Sequence, residues 1–261
     1  MLKLIRCELW KLKRKKFLIL VILSALLFPI PLAVMMTVPR FAGQCETKVQ
    51  LFNEYFGFVM GYGVSLLLPG VIGVLAAMLF FMERDNDTFK NLRTIPVTST
   101  QMVLAKIIVL FMMGTIFSVS SALASVLCGS LVAEINGIGY KLFLACELGI
   151  FITAGTLPLV VLVVFFSKTY IFSVLLCVFY SAFSMTAESL FGVLPKAVAW
   201  VMPIPLTTLW SASNMIEHGI RRNVQQLEHL FPSTLQTVMI IGMMAFMSIT
   251  LIDYLYRKRG E

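Results

Sequence analysis

Six long apolar segments constrain the fold of this chain more than any other feature of its sequence. The hydrocarbon core of a bilayer is about 30 Å thick, and a helix needs about 20 apolar residues to cross it. Six segments reach that length: 17–38, 56–82, 105–133, 141–167, 170–189 and 234–256. Of the 261 residues, 59% are hydrophobic and only 13% are charged, too few charges to cover a soluble domain. The sequence therefore predicts one all-α integral membrane domain over residues 1–261, with six transmembrane helices.

The distribution of basic residues predicts the orientation of these helices. If the N-terminus lies inside the cell, 15 of the 21 Lys and Arg residues fall on the inner side. They are Lys3, Arg6, Lys11, Lys13, Arg14, Lys15, Lys16, Arg84, Lys90, Arg93, Lys106, Lys168, Arg257, Lys258 and Arg259. Cytoplasmic segments of membrane proteins carry an excess of Lys and Arg, so both termini are predicted to be cytoplasmic. The same asymmetry accounts for the net charge of +8 without a nucleic-acid partner.

Residues 1–16, MLKLIRCELWKLKRKK, combine a regular apolar stripe with many basic residues. Leu2, Ile5, Leu9 and Leu12 recur every three or four positions, which is the spacing of one helix face. We expect an amphipathic helix in the inner membrane interface, with Trp10 at the depth of the lipid headgroups. Its polar and interfacial residues are Lys3, Arg6, Trp10, Lys13 and Arg14. A solvated basic anchor that only fixes orientation is the alternative.

Residues 190–233, between the fifth and sixth apolar segments, form the longest stretch that does not span. Their first part is apolar but contains Pro195, Pro203 and Pro205, so it is predicted to be re-entrant from the outer side. The range Met215–Leu230 is polar and is predicted to be a short external helix. A disordered external loop is the alternative, although two tryptophans favour burial at an interface. The shorter range 39–55 is predicted to be the other external piece.

The common sequence motifs of ATP-binding proteins, zinc metalloproteases and serine hydrolases are absent from the sequence. It contains no GxxxxGK[ST] phosphate loop, no HExxH metal pair and no GxSxG nucleophile motif. The two histidines, His218 and His229, are eleven residues apart and do not have the spacing of a metal pair on one helix. An intramembrane enzyme would need a catalytic set that the sequence lacks. We therefore expect a protein that is not an enzyme and holds no cofactor or metal of its own.

Three acidic residues lie within or at the ends of the apolar segments, where carboxylates are functional candidates. Asp253 precedes Arg257 by one helical turn and is predicted to form a structural ion pair. Glu147 and Glu188 lie near the outer ends and are candidates for a substrate path or an external gate. Trp200 and Trp210 are assigned to the same outer region.

Glycines recur along the second apolar segment, where small residues permit close approach of helices. They are Gly57, Gly61, Gly63, Gly70 and Gly73, and they indicate either a dimer seam or packing within one chain. The five cysteines lie mostly in apolar runs and are interpreted as small packing residues. Cys128 and Cys146 are predicted near the same membrane face, which leaves a disulfide between them as a weaker alternative.

One charged loop, residues 83–100, interrupts the apolar sequence between the second and third segments. Asp87 can cap a helix of about two turns that ends before Pro96, and Thr98 or Ser99 can cap the next span. Phe89 and Leu92 form a small apolar knob among charges, which suits docking to a soluble partner. The predicted docking residues are Glu83, Arg84, Asp85, Asp87, Thr88, Phe89, Lys90, Leu92, Arg93 and Pro96. A solvated loop is the alternative.

This loop resembles the first cytoplasmic loop of ABC-2-type transporter permeases. The pattern E…T-x-K-x-L…P-V-S/T…K of that family corresponds here to Glu83, Thr88, Lys90, Leu92, Pro96-Val97-Thr98-Ser99 and Lys106. The length, the N-terminal amphipathic segment, the six spans and the region between the fifth and sixth spans are similar over the whole chain. The basic start and the abundance of Met and Phe resemble permeases of lantibiotic-protection and bacitracin-resistance exporters.

The resemblance implies a permease in a bacterial plasma membrane without ATPase activity of its own. Two cytoplasmic ATP-binding subunits would carry ATP and Mg²⁺, and a second permease, identical or homologous, would complete the assembly. The subfamily implies export of an amphipathic antimicrobial peptide, such as a lantibiotic or a bacitracin-like peptide. Another hydrophobic drug or a lipid-like substrate is the alternative. A stand-alone secondary transporter would instead need internal repeats and ion ligands at mid-membrane depth.

Overall fold

The structure is a computed structural model that describes residues 1–14, 16–39, 43, 45, 47–85, 98–166, 170–191, 195–220 and 225–260. Within these ranges it does not describe the side chains of residues 82–85, 170, 225, 226, 259 and 260. The regular elements of the described part are all helical, in agreement with the predicted class. Six of its helical segments are long and apolar enough to cross a membrane.

The first 36 residues of the chain contain a separate short helix and the first span. Helix α1 (Leu2–Arg14) ends in a sharp turn at Lys16, which adopts a left-handed φ of 59°. Span 1 (Phe17–Met36) consists of α2 (Phe17–Ala25) and α3 (Pro29–Met36). The turn between them precedes Pro29, which can begin a helix because the first helical N–H needs no partner.

Span 2 begins eight residues before the predicted start at residue 56. It consists of α4 (Lys48–Phe58), a π-helical segment (Val59–Val64) and α5 (Ser65–Asp85). Residues 48–55 are therefore helical and continuous with span 2 rather than a loop before it. The hydroxyl of Thr47 caps this helix by accepting a hydrogen bond from the Gln50 amide at 3.2 Å, and the polar Asn53 is buried inside the bundle. Polar residues near the start of this helix lower its mean hydropathy, and for this reason the sequence predicts a later start of span 2.

The remaining spans follow as α6 (Ser99–Gly129), α7 (Ile138–Phe165) and α8 (Tyr170–Ser189), which are spans 3, 4 and 5. Spans 3 and 4 begin six and three residues before their predicted starts, and span 5 coincides with its predicted range. The helix of span 3 has 31 residues and is therefore about 46 Å long. It extends beyond a hydrocarbon core of about 30 Å. The predicted turn at residues 167–169 lies outside the described residues.

The segment between spans 5 and 6 differs from its predicted arrangement. Two helices, α9 (Lys196–Val201) and α10 (Pro203–Glu217), precede a 3₁₀-helix (Gln225–Leu230), and α11 (Thr234–Gly260) forms span 6. Pro203 and Pro205 do not interrupt α10 but lie in its first turn, where proline is tolerated.

The range Met215–Leu230 is not the one continuous helix that was predicted, since α10 ends at Glu217. Gly219 adopts a left-handed φ of 67°. Its amide donates to the Ile216 carbonyl at 3.0 Å, and the Ile220 amide donates to the Met215 carbonyl at 2.8 Å. This pair of bonds is the Schellman motif that terminates helices at glycine.

Span 4 lies at the centre of the bundle. It packs against spans 2, 3 and 6 and against α10, while span 5 packs mainly against span 2 and span 1 against span 3. Helix α1 packs against span 3. Helix α10 is buried from Ile204 to Ser211, so this part of the helix is covered by the surrounding protein.

Candidate functional site

The predicted docking segment begins in the last turn of span 2. The backbone of Glu83, Arg84 and Asp85 is helical, but their side chains are outside the description. The other predicted docking residues lie outside the described residues: Asp87, Thr88, Phe89, Lys90, Leu92, Arg93 and Pro96. We call the end of the bundle where span 2 ends and span 3 begins the loop end.

A capping box fixes the start of span 3 at the loop end. The Thr98 hydroxyl accepts a hydrogen bond from the Gln101 amide at 3.3 Å, and the Gln101 side chain accepts one from the Thr98 amide at 3.3 Å. Such reciprocal bonds satisfy two amides that a helix start otherwise leaves unpaired. The prediction that Thr98 or Ser99 caps this helix is confirmed for Thr98.

Lys106 of span 3 is completely buried and connects two other elements. Its Nζ donates to the Leu79 carbonyl of span 2 at 2.7 Å, and it lies 3.5 Å from Oε2 of Glu8 in α1. The ring centroid of Phe80 is 5.5 Å from the same nitrogen. An ammonium group is stable in an apolar interior only when it is paired and hydrogen-bonded. Lys106, near the start of span 3, therefore connects α1 with the end of span 2, where the loop begins.

Glu8 is a functional candidate that was not predicted from the sequence. It is the one acidic residue among the first sixteen, it is only 8% exposed, and its Oε1 is 2.6 Å from Lys11 Nζ. A single carboxylate among seven basic residues was the available signal. We call Glu8, Leu79 and Lys106 the root cluster.

The two faces of α1 have different environments. Leu12 is buried and Ile5 and Leu9 pack partly against the core, whereas Leu2 is 83% exposed. Three residues of the predicted apolar stripe therefore contact the bundle. The predicted interfacial residues are on the exposed side: Lys3, Arg6, Trp10, Lys13 and Arg14. Their position in a lipid interface stays a prediction.

Span 6 also joins the loop end. The predicted ion pair between Asp253 and Arg257 is present, with Oδ2 and Nη2 2.8 Å apart. Arg257 also donates to the hydroxyl of Thr100 at 2.6 Å, and the ring of Tyr256 packs edge-on against Phe80 with centroids 6.1 Å apart. Four elements therefore meet at the loop end: α1, the end of span 2, the start of span 3 and the end of span 6.

The acidic and aromatic candidates of the opposite end contact different partners. Glu188 is buried and accepts a hydrogen bond from the Thr208 hydroxyl at 2.7 Å, while Glu147 is half-buried on span 4. Trp210 is a core residue that donates to Thr234 at 3.1 Å. Trp200 donates to the Leu230 carbonyl at 2.9 Å. Both tryptophans thus hold the segment between spans 5 and 6 in place.

Lys141, which the charge count assigned to the outer side, is completely buried at this opposite end. Its Nζ donates to Asn53 Oδ1 at 2.8 Å and to the Asn136 carbonyl at 2.5 Å. It also lies 4.7 Å from the ring centroid of Phe52, a distance typical of a cation–π contact. Lys141 therefore joins spans 2 and 4 and the turn before span 4.

The glycines of span 2 have partners within the chain. A Cβ at Gly63 would lie 2.8 Å from Phe28 Cβ, and one at Gly70 would lie 3.4 Å from Ser181 Oγ. Gly57 faces Met215 of α10, with 3.9 Å between its ideal Cβ and the sulfur. Gly61 is buried. These contacts favour packing within one chain for Gly57, Gly63 and Gly70.

Gly73 offers the clearest test of this packing. A Cβ there would overlap the Cys177 sulfur and lie 3.1 Å from Leu159 Cδ2. We expect Gly73→Val to lower the free energy of unfolding by about 1–3 kcal/mol through overpacking, measured by thermal unfolding in detergent. The matched control is Gly242→Val, since a Cβ at Gly242 meets nothing within 4 Å. Equal stability of the two variants would contradict close packing of spans 2 and 5.

An open apolar groove runs along spans 1, 2 and 5. Its volume is about 380 Å³, and Leu20, Leu67 and Val178 are among its lining residues. Ser181 supplies a buried hydroxyl without a hydrogen-bond partner. The groove thus presents an almost wholly apolar surface on one side of the bundle.

The cysteines and histidines form no disulfide or metal site among the described residues. All five cysteines are free, so Cys128 and Cys146 do not pair. His218 stacks on Tyr140 with ring centroids 4.0 Å apart. No group of three or more potential metal ligands occurs in the described part of the chain.

The match to a known family covers three of the four elements that meet at the loop end. The model of the family described as ABC-2 family transporter protein matches residues 4–184, which is well over half of the chain and includes α1, the root cluster and spans 1–4. No curated protein matches the chain. The family is a transmembrane component of ABC transporters, and six candidate spans agree with a multi-pass membrane protein. This chain belongs to the ABC-2 family of transporter proteins.

Proposed function

We propose that this chain is the permease subunit of an ATP-driven ABC exporter and that ATP-binding subunits drive it from the loop end. The observation that carries the proposal is the root cluster. Lys106, Glu8 and the Leu79 carbonyl connect α1 with spans 2 and 3 directly beside the loop. A partner that moves the loop therefore also moves α1 and the spans.

The orientation of the proposed permease follows from its charges. Cytoplasmic segments are rich in Lys and Arg, and the loop end carries the basic helix α1 together with Arg257 and Lys258 of span 6. Both termini and the loop 83–100 are then cytoplasmic, and residues 190–233 face outward. The membrane is the plasma membrane of a bacterium.

Two ATP-binding subunits holding ATP and Mg²⁺ and a second permease complete the proposed assembly. The resemblance of the loop to family members supports docking through Glu83–Pro96. The second permease, identical or homologous, contacts spans 1, 2 and 5. The apolar groove along these spans supports that seam, because apolar faces of membrane helices associate by close packing.

The proposed substrate is an amphipathic antimicrobial peptide of the lantibiotic or bacitracin type, expelled outward to give self-protection or resistance. The resemblance to exporters of that class supports it. Glu147 and Glu188 near the outer end provide acidic groups that suit a cationic peptide. Another hydrophobic drug or a lipid-like molecule is the competing substrate class, and a stand-alone secondary transporter is the competing mechanism.

Reconstitution in proteoliposomes tests this function. We expect the permease to clear a fluorescently labelled lantibiotic or bacitracin from the membrane only when the ATP-binding subunit and ATP are present. An ion gradient applied to the permease alone is the control. Transport driven by that gradient without an ATPase would overturn the proposal. ATP-driven clearance of a labelled lipid, without clearance of either peptide, would show that the substrate is lipid-like and not a peptide.

A further inference from the structure

We infer that Ser65, Thr208 and Glu188 form a hydrogen-bonded clasp that holds α10 against spans 2 and 5 and positions the outer gate of the transporter. Thr208 Oγ1 donates to Glu188 Oε1 at 2.7 Å and lies 3.3 Å from Ser65 Oγ. The three residues come from three different elements, and each is at most 9% exposed. Ser65 and Thr208 were not candidates in the sequence analysis.

The Glu188 end of the clasp is energetically demanding. A carboxylate buried among apolar residues is costly unless hydrogen bonds compensate for its lost hydration. Glu188 lies in the last turn of span 5, and the Thr208 hydroxyl reaches it from the middle of α10. Because this hydrogen bond joins side chains of two different elements, it connects α10 directly with the end of span 5.

The Ser65 end lies where span 2 departs from regular α-helix. Ser65 directly follows the π-helical segment Val59–Val64 and precedes Pro69 by four residues. Proline has no N–H, so the Ser65 carbonyl lacks its usual i+4 donor. Both features weaken the local ladder and are typical of bends and functional sites in helices.

Helix α10 closes the outer end of the bundle beside this irregular part of span 2. Met215 of α10 packs against Gly57 of span 2, and Pro203 packs against Gly155 of span 4. With the clasp closed, α10 and the outer half of span 2 move as one body. Release of Thr208 from Glu188 frees that body from span 5, which is the opening movement that an outer gate requires.

Hydrogen–deuterium exchange on the permease alone in lipid nanodiscs tests the clasp. We expect Thr208→Val to speed amide exchange roughly tenfold in two distant ranges, 59–66 and 185–190. Thr208→Ser keeps the hydroxyl and restores slow exchange. The matched control is Thr207→Val, since the described bond of the Thr207 hydroxyl goes only to the Ile204 carbonyl of its own helix, so faster exchange stays within α10. Unchanged exchange in Thr208→Val, or equal patterns in both valine variants, would overturn the clasp.

The role of the clasp in gating rests on the proposed exporter function, and a separate measurement of export tests it. In the complex with its ATP-binding subunits, we expect Thr208→Val to export severalfold less substrate per ATP hydrolysed than Thr207→Val. Equal export by the two variants, with exchange altered as described, would overturn the gating role. Failure of the unmodified complex to use ATP would refute the exporter instead, and would leave the exchange result on the clasp intact.

Discussion

Replacing Lys106 with Met is expected to lower the free energy of unfolding by about 3 kcal/mol, because the Glu8 carboxylate and the Leu79 carbonyl lose a buried cation. Removal of one partner of a buried ion pair usually costs about 3–5 kcal/mol. We expect a value at the lower end of this range because Lys11 also pairs with Glu8. Thermal unfolding of the purified permease in detergent measures the change. Lys13→Met, at an exposed position of α1, is the control and is expected to shift the free energy by less than about 0.5 kcal/mol.

A double variant separates stability from transmission of movement. Glu8→Gln with Lys106→Met removes both charges, and replacement of a buried pair by neutral groups is often close to neutral in stability. We expect it to unfold near the temperature of the unmodified protein and yet to export roughly tenfold less, because α1 no longer follows the loop. Export at the normal rate by this stable variant would show that the root cluster only stabilises the fold.

Replacing Phe89 and Leu92 together with Ala is expected to abolish ATP-driven export and to weaken binding of the ATP-binding subunit at least about 30-fold. Buried apolar anchors carry most of the binding energy of an interface, and these two residues are the predicted knob of the loop. Charge reversal by Glu83→Lys is expected to act in the same direction. Co-purification of the ATP-binding subunit measures the loss.

The control for the loop variants lies at the other end of the bundle. Leu131, in the turn after span 3, is 86% exposed, and Leu131→Ala removes a similar apolar side chain without touching the loop. We expect membrane insertion to be normal in all variants and co-purification to fail only in the loop variants. Retention of the partner and of export after all loop changes would contradict docking through this segment.

The all-helical class and the six spans were predictable because bilayer thickness sets the minimum length of an apolar helix that crosses it. Span 5, which has 20 residues, coincides with its predicted range. Span 2 was predicted too short, since hydropathy treats Asn53 as polar although Lys141 satisfies it inside the bundle. Likewise, Pro203 and Pro205 suggested a broken segment, but at the first turn of α10 they are compatible with a helix.

The buried cations were not predictable from sequence. The sequence predicts Lys106 and Lys141 as charges that flank the spans and set their orientation, but both are completely buried. Their burial depends on Glu8, Leu79 and Asn53, which are between 27 and 98 positions away in the chain. The cap of span 3 was predictable, because capping follows local rules, and Thr98 has the expected geometry. The predicted cap Asp87 and Pro96 lie outside the described residues.

A photo-crosslinking amino acid at position 89, in membranes of cells that carry the complete transporter, tests the central claim most directly. The same amino acid at position 131 is the matched control at the opposite end of the bundle. We predict that position 89 crosslinks to a protein with a phosphate-binding loop, identified by mass spectrometry, and that position 131 does not. Adducts with that ATPase from position 131, or none from position 89, would contradict the claim that the ATP-binding subunit docks at the loop end and drives the permease from there.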